Sequence, residues 1–381
     1  MQIHGHIDPR FEGVREAFAN NFASDGAGTS DVGASFCATH KGEIVVDIWA
    51  GVADAETGKP WEKDTIVNVY STTKTMCALT ALLLADRGEL DFAKPVAHYW
   101  PEFAANGKAG VTTAMLMSHS AGLSGFKEKV SKEDMYDWGK VTSLLAAQAP
   151  FWEPGTAPGY HGITQGFLVG EVIRRITGQT PGTVFRTEIA EPLGADFHIG
   201  LAASEDARVA TLIPPPPGGG IADMSDRPLT VNMSTNPAIN PLETRTRGWR
   251  GAEIPAANGH GNARSVAIVQ TLVANGGVSN GKRILSEAGV RRALEPQIGG
   301  EDLVLGMPIN YGLGYGLPGG QLPMPNPNSC YWGGYGGSIV INDLDARTTF
   351  AYAMNKMAGT TVGDMRAFSL AIAMWKGLAA I

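Results

Sequence analysis

Apolar positions along the chain change period from one stretch to the next. Between residues 10 and 22, Phe11, Val14, Phe18 and Phe22 recur at helical spacing and predict an amphipathic opening helix. Two strand-like runs follow, Gly33–Ala38 and Ile44–Ala50. The turn-like His40-Lys41-Gly42 between them predicts a β-hairpin. Asp64–Tyr70 reads as a short extended approach to Ser71, and Thr75–Arg87 as a strongly apolar helix stopped by Gly88. From there to about residue 260, helical fragments (Thr112–Met117, Val141–Gln148, Gln165–Thr177) alternate with irregular loops. The run Pro214–Gly220 cannot lie inside a helix or strand and reads as a surface excursion. Order returns with a helix over Ser265–Asn275. Strand candidates follow at Tyr311–Leu317, Cys330–Asn342 and Thr348–Met354, and a last helix covers Val362–Leu378. Strands at both ends with helices between do not alternate as βαβ units would. The expectation is an α+β fold whose antiparallel sheet is built from both termini around a helical middle. Residues 1–75 and 264–381 would form the sheet-bearing lobe, and 76–263 the mainly helical one.

The chain has 381 residues, with 44% hydrophobic and 18% charged, the balance of a globular protein rather than a disordered one. Its formal net charge of -7 argues against nucleic acid or an anionic membrane as the main partner. No uncharged apolar run approaches the roughly 18 residues that span a bilayer, and the first residues lack the pattern of a secretory signal. Cys37, Cys77 and Cys330 sit in apolar segments with no CxxC pairing, which reads as reduced core thiols in a cytoplasmic protein.

Ser71-Thr72-Thr73-Lys74 puts a hydroxyl and an amine at i and i+3, on one face of the first turn of a helix. A serine hydroxyl attacks well only when a base takes its proton, and a lysine can be that base once desolvation lowers its pKa. The S-x-x-K spacing alone is weak, since it recurs at Ser124/Lys127 and Ser279/Lys282. Those two lie in Gly-rich loop sequence where both side chains are expected in solvent, whereas Ser71 stands between an extended approach and a long apolar helix. Two further segments add to it. Pro158-Gly159-Tyr160-His161-Gly162 places a tyrosine in a glycine-flanked loop before a helix, where its hydroxyl could move a proton. Tyr331-Trp332-Gly333-Gly334-Tyr335-Gly336-Gly337-Ser338 is dense in glycine at a strand start, so something must approach that backbone closely. An exposed N–H there is what an oxyanion hole requires.

Together, Ser71-Thr72-Thr73-Lys74, Tyr160 and Trp332-Gly333-Gly334 resemble the three motifs of the class C β-lactamase-like serine hydrolases, and most of all those of the family VIII carboxylesterases. Leu116–Leu123 (LMSHSAGL) is similar to a segment these proteins carry after the nucleophile helix. The resemblance implies a β-lactamase/transpeptidase-like fold with the site between the two lobes. It implies Ser71 as the acylated nucleophile, Lys74 and Tyr160 as the general base pair, and the N–H groups of Ser71 and Tyr335 as the oxyanion hole. The implied activity is hydrolysis of short acyl esters through an acyl-enzyme, with neither metal nor cofactor. Trp332 would stand where β-lactamases carry a lysine, and Gly162 where they carry an asparagine. Both changes remove polar anchors for a penicillin-like substrate and favour an esterase.

Other readings stay in view: a β-lactamase, D-amino-acid peptidase or acyltransferase of the same fold, and a non-catalytic binding protein that kept it. Around the site, Trp332, Gly333, Gly334, His161, Tyr70 and Trp152 are expected to line the substrate pocket, with His260 a more distant candidate. His4-x-His6-x-Asp8 has the look of a metal pair but lacks the preceding barrel strand that motif needs. His119 is expected to be structural, because adjacent side chains in a turn point apart. The loops near Pro214–Gly220 and Gln321–Asn328 would shape the pocket rim.

Overall fold

The computed structural model describes residues 1–23, 30–216, 227–238, 240–320 and 322–380. One antiparallel sheet joins the two ends of the chain. Its order is His4–Ile7, Glu43–Asp54, Gly33–His40, Thr348–Met354, Ile339–Asp343, Ser329–Gly333, Gly316–Leu317, Pro308–Tyr311 and Ile298–Glu301, with Lys59–Pro60 added beside Glu43–Asp54. The termini meet at its centre, where Cys37 lies opposite Ala351 and Phe36 opposite Tyr352.

Alternation along the central strands decides which helices cover which face. Phe350 packs edge-on against Trp375 of the last helix, Met365–Ala379, which lies against the opening helix Gly13–Asn21. Its neighbour Thr349 points the other way and donates to Asn342. On that second face Thr39 shares a 2.6 Å hydrogen bond with Thr271 of the helix Ala263–Ala274. Helices thus cover both faces, and the fold is α+β, as the strand pattern predicts.

The middle of the chain is helical. The helix Lys74–Asp86 is buried along nearly its whole length and packs against Thr164–Thr177. An apolar stripe all round a helix is what burial on every side requires.

Two expectations need correction, and one strand is unforeseen. The opening residues His4–Ile7 form an edge strand pairing with Val46–Trp49, and Asp8 behind it is taken by Arg10 at 2.7 Å. The run Tyr311–Leu317 is two short strands, because Gly314 takes φ +87° in the turn between them. Cys330–Asn342 is likewise a hairpin of two strands. Of the two loops expected at the rim, residues 217–220 and 321 lie outside the described residues.

Candidate active site

Ser71 sits in the short 3-10 turn Tyr70–Thr73, which runs directly into the helix Lys74–Asp86. Tyr70 takes φ +43°, a conformation a bulky residue adopts at a cost of about 1–3 kcal/mol and only where its surroundings enforce it. Here they do. The Val69 N–H donates to Gly259 at 3.0 Å, the Gly259 N–H donates to Thr73 Oγ1 at 2.9 Å, and the Tyr70 ring packs edge-on against Tyr335.

Ser71, Lys74 and Tyr160 converge. Ser71 Oγ lies 2.6 Å from the Tyr160 hydroxyl and 3.0 Å from Lys74 Nζ, and Nζ is 3.1 Å from the same phenol. Lys74 is fully buried and donates to the carbonyls of Gly162 at 2.7 Å and Ala256 at 3.0 Å. Burial pushes its pKa well below the usual lysine range. A neutral amine has two hydrogens and one lone pair. When the amine is neutral and gives both hydrogens to the carbonyls, its lone pair faces the two hydroxyls. Burial drives the Tyr160 phenol the opposite way, above its ordinary range, so it is a neutral hydroxyl here and not a phenolate.

Tyr160 is placed from behind. Its N–H donates to Asp302 Oδ1 at 3.0 Å, and this carboxylate also accepts from the N–H groups of Val304 and Leu305 and from the Tyr311 hydroxyl. Trp332 stacks on His119 with ring centres 5.3 Å apart and 12° between planes, and both pack beside Tyr160. A cavity of about 20 Å³, lined by Tyr160, Tyr311, Trp332 and Val362 among others, lies in this cluster.

The glycine-rich turn after the strand Ser329–Gly333 closes on the Val69–Thr72 segment. Gly334 N–H donates to Ser338 at 2.7 Å; the Ser338 hydroxyl donates to Val69 at 2.8 Å and pairs with Thr72 Oγ1 at 3.0 Å. The close approach expected at these glycines is made by the chain itself. A Cβ on Gly334 would fall 2.1 Å from the Val69 carbonyl oxygen, and one on Gly333 would fall 2.7 Å from Val362 Cα. Both glycines are buried, so only their backbone can meet a ligand.

Several expected pocket residues stand elsewhere. His161 is fully buried and not on the pocket wall. Its Nε2 accepts from Leu123 N–H at 2.9 Å and its Nδ1 hydrogen goes to the Gly159 carbonyl at 2.5 Å, while burial lowers its pKa to about 4. Trp152 is half-buried and braces the same loop, donating from Nε1 to Ala157 at 3.0 Å with its ring over Gly159. His260 is fully buried, its backbone paired with Asn68 and His198. His119 is structural: its Nδ1 accepts from the His161 N–H at 3.0 Å. Ser124 and Ser279 are buried, not solvated as expected, and Ser279 donates to Ile268.

Asp302 escapes sequence reasoning, because it meets Tyr160 across more than a hundred residues and stands in no motif. Ser338 closes the glycine-rich segment, but its bond to Val69 spans more than two hundred residues and no spacing records it. Among the described residues no group of three or more His, Cys, Asp or Glu side chains is placed to hold a metal ion, and no helix is long and apolar enough to cross a membrane.

Comparison with known proteins follows the same outline. The esterase/beta-lactamase LipL of Mycobacterium tuberculosis is 35% identical over 386 aligned positions, covering 95% of this chain and 85% of that protein. The crystal structure of a family VIII carboxylesterase superposes with a TM-score of 0.92 at 43% identity, covering 99% of this chain and 100% of that one. A penicillin-binding protein homologue from Caulobacter crescentus gives 0.90 at 36% identity, with 99% and 100% covered. The sequence model of the beta-lactamase family matches residues 18–373. The chain therefore belongs to the beta-lactamase family, with the β-lactamase/transpeptidase-like fold of its carboxylesterase members.

Proposed function

We propose that the protein is a serine carboxylesterase that hydrolyses short-chain acyl esters through an acyl-enzyme on Ser71. The observation that carries this reading is Lys74, buried, held between two carbonyls and 3.0 Å from Ser71 Oγ. A lysine whose pKa is lowered by burial can act as a base, and a serine beside it as a nucleophile.

Lys74 takes the Ser71 proton, directly or through the Tyr160 hydroxyl, and the serine oxygen attacks the ester carbonyl. The tetrahedral oxyanion is received by the N–H groups of Ser71 and Tyr335. Collapse expels the alcohol, which takes back the proton through Tyr160. Water then attacks the acyl-enzyme, giving its proton to the same base; the bond to Ser71 breaks, the serine oxygen takes that proton back, and the acid is released.

In this reading the sheet-bearing lobe (1–75 and 264–381) supplies Ser71, Lys74 and Tyr335, and the helical lobe (76–263) supplies Tyr160. The partner is a small ester rather than a macromolecule. Free, buried Cys37, Cys77 and Cys330 suit a reducing, cytoplasmic setting.

Ester is favoured over β-lactam because Trp332 offers no cationic group, and Gly162 no side-chain amide, where a β-lactamase would anchor its substrate. The family VIII carboxylesterase supports the same choice, whereas the name of LipL carries both activities. The test is hydrolysis of p-nitrophenyl butyrate beside a chromogenic cephalosporin by wild type and Ser71→Ala. Fast ester turnover that vanishes in the variant is expected. Dominant cephalosporin cleavage would make the protein a β-lactamase, and ester turnover surviving in Ser71→Ala would refute the nucleophile.

A further inference from the structure

Behind the glycine-rich turn lies a charged cluster that the mechanism above does not use. Arg366, in the first turn of the last helix, is 5% exposed and spends all five guanidinium hydrogens on fixed partners. Nη1 donates to Asp31 Oδ1 at 2.9 Å and to the Lys356 carbonyl at 2.8 Å. Nη2 donates to the Gly336 carbonyl at 3.0 Å and to Asp364 Oδ2 at 2.6 Å, and Nε donates to Asp364 Oδ1 at 3.0 Å. Asp31 is fully buried and accepts from the Tyr352 hydroxyl at 2.6 Å.

Gly336 directly follows Tyr335, whose N–H is an oxyanion donor in the reading above. Gly336 and Gly337 hold φ +104° and +124°, values open to glycine and rare for other residues. The turn cannot keep that shape by side-chain packing of its own. Its outer anchors are the Gly336 N–H donating to Thr360, the Ala358 N–H donating to Gly336, and Arg366. A Cβ on Gly337 would lie 2.5 Å from Asp364 Oδ2 and 2.7 Å from Arg366 Nη2, so the guanidinium is in contact with the backbone it supports. Desolvation offsets much of the attraction inside a buried ion network, which makes this cluster a poor source of stability. What a planar five-donor fork does supply is a fixed position for each of its acceptors.

We propose that Arg366 is a positioning residue for the oxyanion hole, with Asp31 and Tyr352 orienting the guanidinium so that its bond to Gly336 fixes the Tyr335 N–H. This rests on the Ser71 esterase reading, so Ser71→Ala is measured alongside. If Ser71→Ala retains ester turnover, it is that reading which fails.

The test compares Arg366→Lys, Asp31→Asn and Tyr352→Phe, each normalised to active sites by the p-nitrophenol burst. A tetrahedral boronic acid inhibitor gives the second readout. For Arg366→Lys, kcat per site is expected to fall by roughly tenfold or more with KM little changed, and boronate affinity to fall in parallel. A merely structural role would lower the number of active sites and leave kcat per site intact. Asp31→Asn keeps the arginine in place and should give the same pattern at smaller size. Tyr352→Phe should remain within about threefold of wild type. Should Arg366→Lys not fold, the same ratio of kcat to boronate affinity in Asp31→Asn decides. Per-site kcat and boronate affinity within twofold of wild type in every variant that folds would overturn the proposal.

Discussion

Met233 places its sulfur 2.5 Å, and its Cγ 3.1 Å, from the point a Cβ on Gly162 would occupy. The space in which a β-lactamase-like asparagine would project is therefore filled from another helix, Pro228–Thr235, and Met233 packs on the aromatic cluster around Tyr160 and Trp332. Gly162→Asn is expected to lower ester kcat/KM several-fold, because it pushes Met233 against Tyr160. In the double variant with Met233→Ala, much of that loss should return, since residues in contact do not act additively. A double-mutant cycle on p-nitrophenyl butyrate checks this; losses that simply add would mean that Met233 is not the obstacle.

The pH dependence follows from Lys74. Its folded pKa is pushed well below the usual lysine range by burial, so it becomes the free base at lower pH than an exposed lysine does. kcat/KM should therefore reach its plateau below the ordinary lysine range and fall on acidification, as Lys74 takes up a proton. Lys74→Arg, which cannot deprotonate, should lose about 10³-fold. A pH–rate profile whose basic rise sits in the ordinary lysine range would remove Lys74 as the base.

Tyr160→Phe separates the phenol from the ring. The ring contacts to His119 and Trp332 survive, and Ser71 Oγ keeps its 3.0 Å contact with Lys74. If the hydroxyl relays a proton, kcat should drop by about 10²-fold with the fold unchanged by circular dichroism. A loss below threefold would leave Lys74 acting alone.

How much of this can be read from sequence depends on the range of the interaction. Ser71 and Lys74 are legible because their geometry is local, one helical turn apart. Tyr160 is legible through its glycine-flanked motif, and the central strands through their β-rich runs. Asp302 is not, because the four donors it gathers converge only after folding and no spacing records them. Nor is Arg366, whose partners beyond its own helix cap, Asp31, Gly336 and Lys356, come from three other segments. The strand His4–Ile7 is hidden for a different reason. It is an edge strand exposed except at Ile7, so its residues show no alternation, and it is held by backbone pairing, the buried Ile7 and the stack of His4 on Trp49. His161 misleads because sequence places it beside Tyr160 but does not say that its side chain turns inward.

That inward turn makes His161 a liability in acid. Fully buried and bonded through both ring nitrogens, it is neutral when folded, with its pKa lowered from 6.5 to about 4. Between those values the unfolded chain binds a proton that the folded protein refuses. Stability therefore rises with pH through this window and is lost as pH falls through it. The integrated loss for this one side chain is about 3 kcal/mol. His161→Gln does not titrate, and its amide can still donate to Gly159 and accept from the Leu123 N–H. Urea unfolding of wild type and His161→Gln at intervals from pH 7 to pH 4 should give a variant less stable at pH 7 but flatter on acidification, so that the two curves converge towards pH 4. Parallel curves across the window would show that the His161 ring takes up its proton in the folded state, and that its two backbone contacts do not hold it neutral.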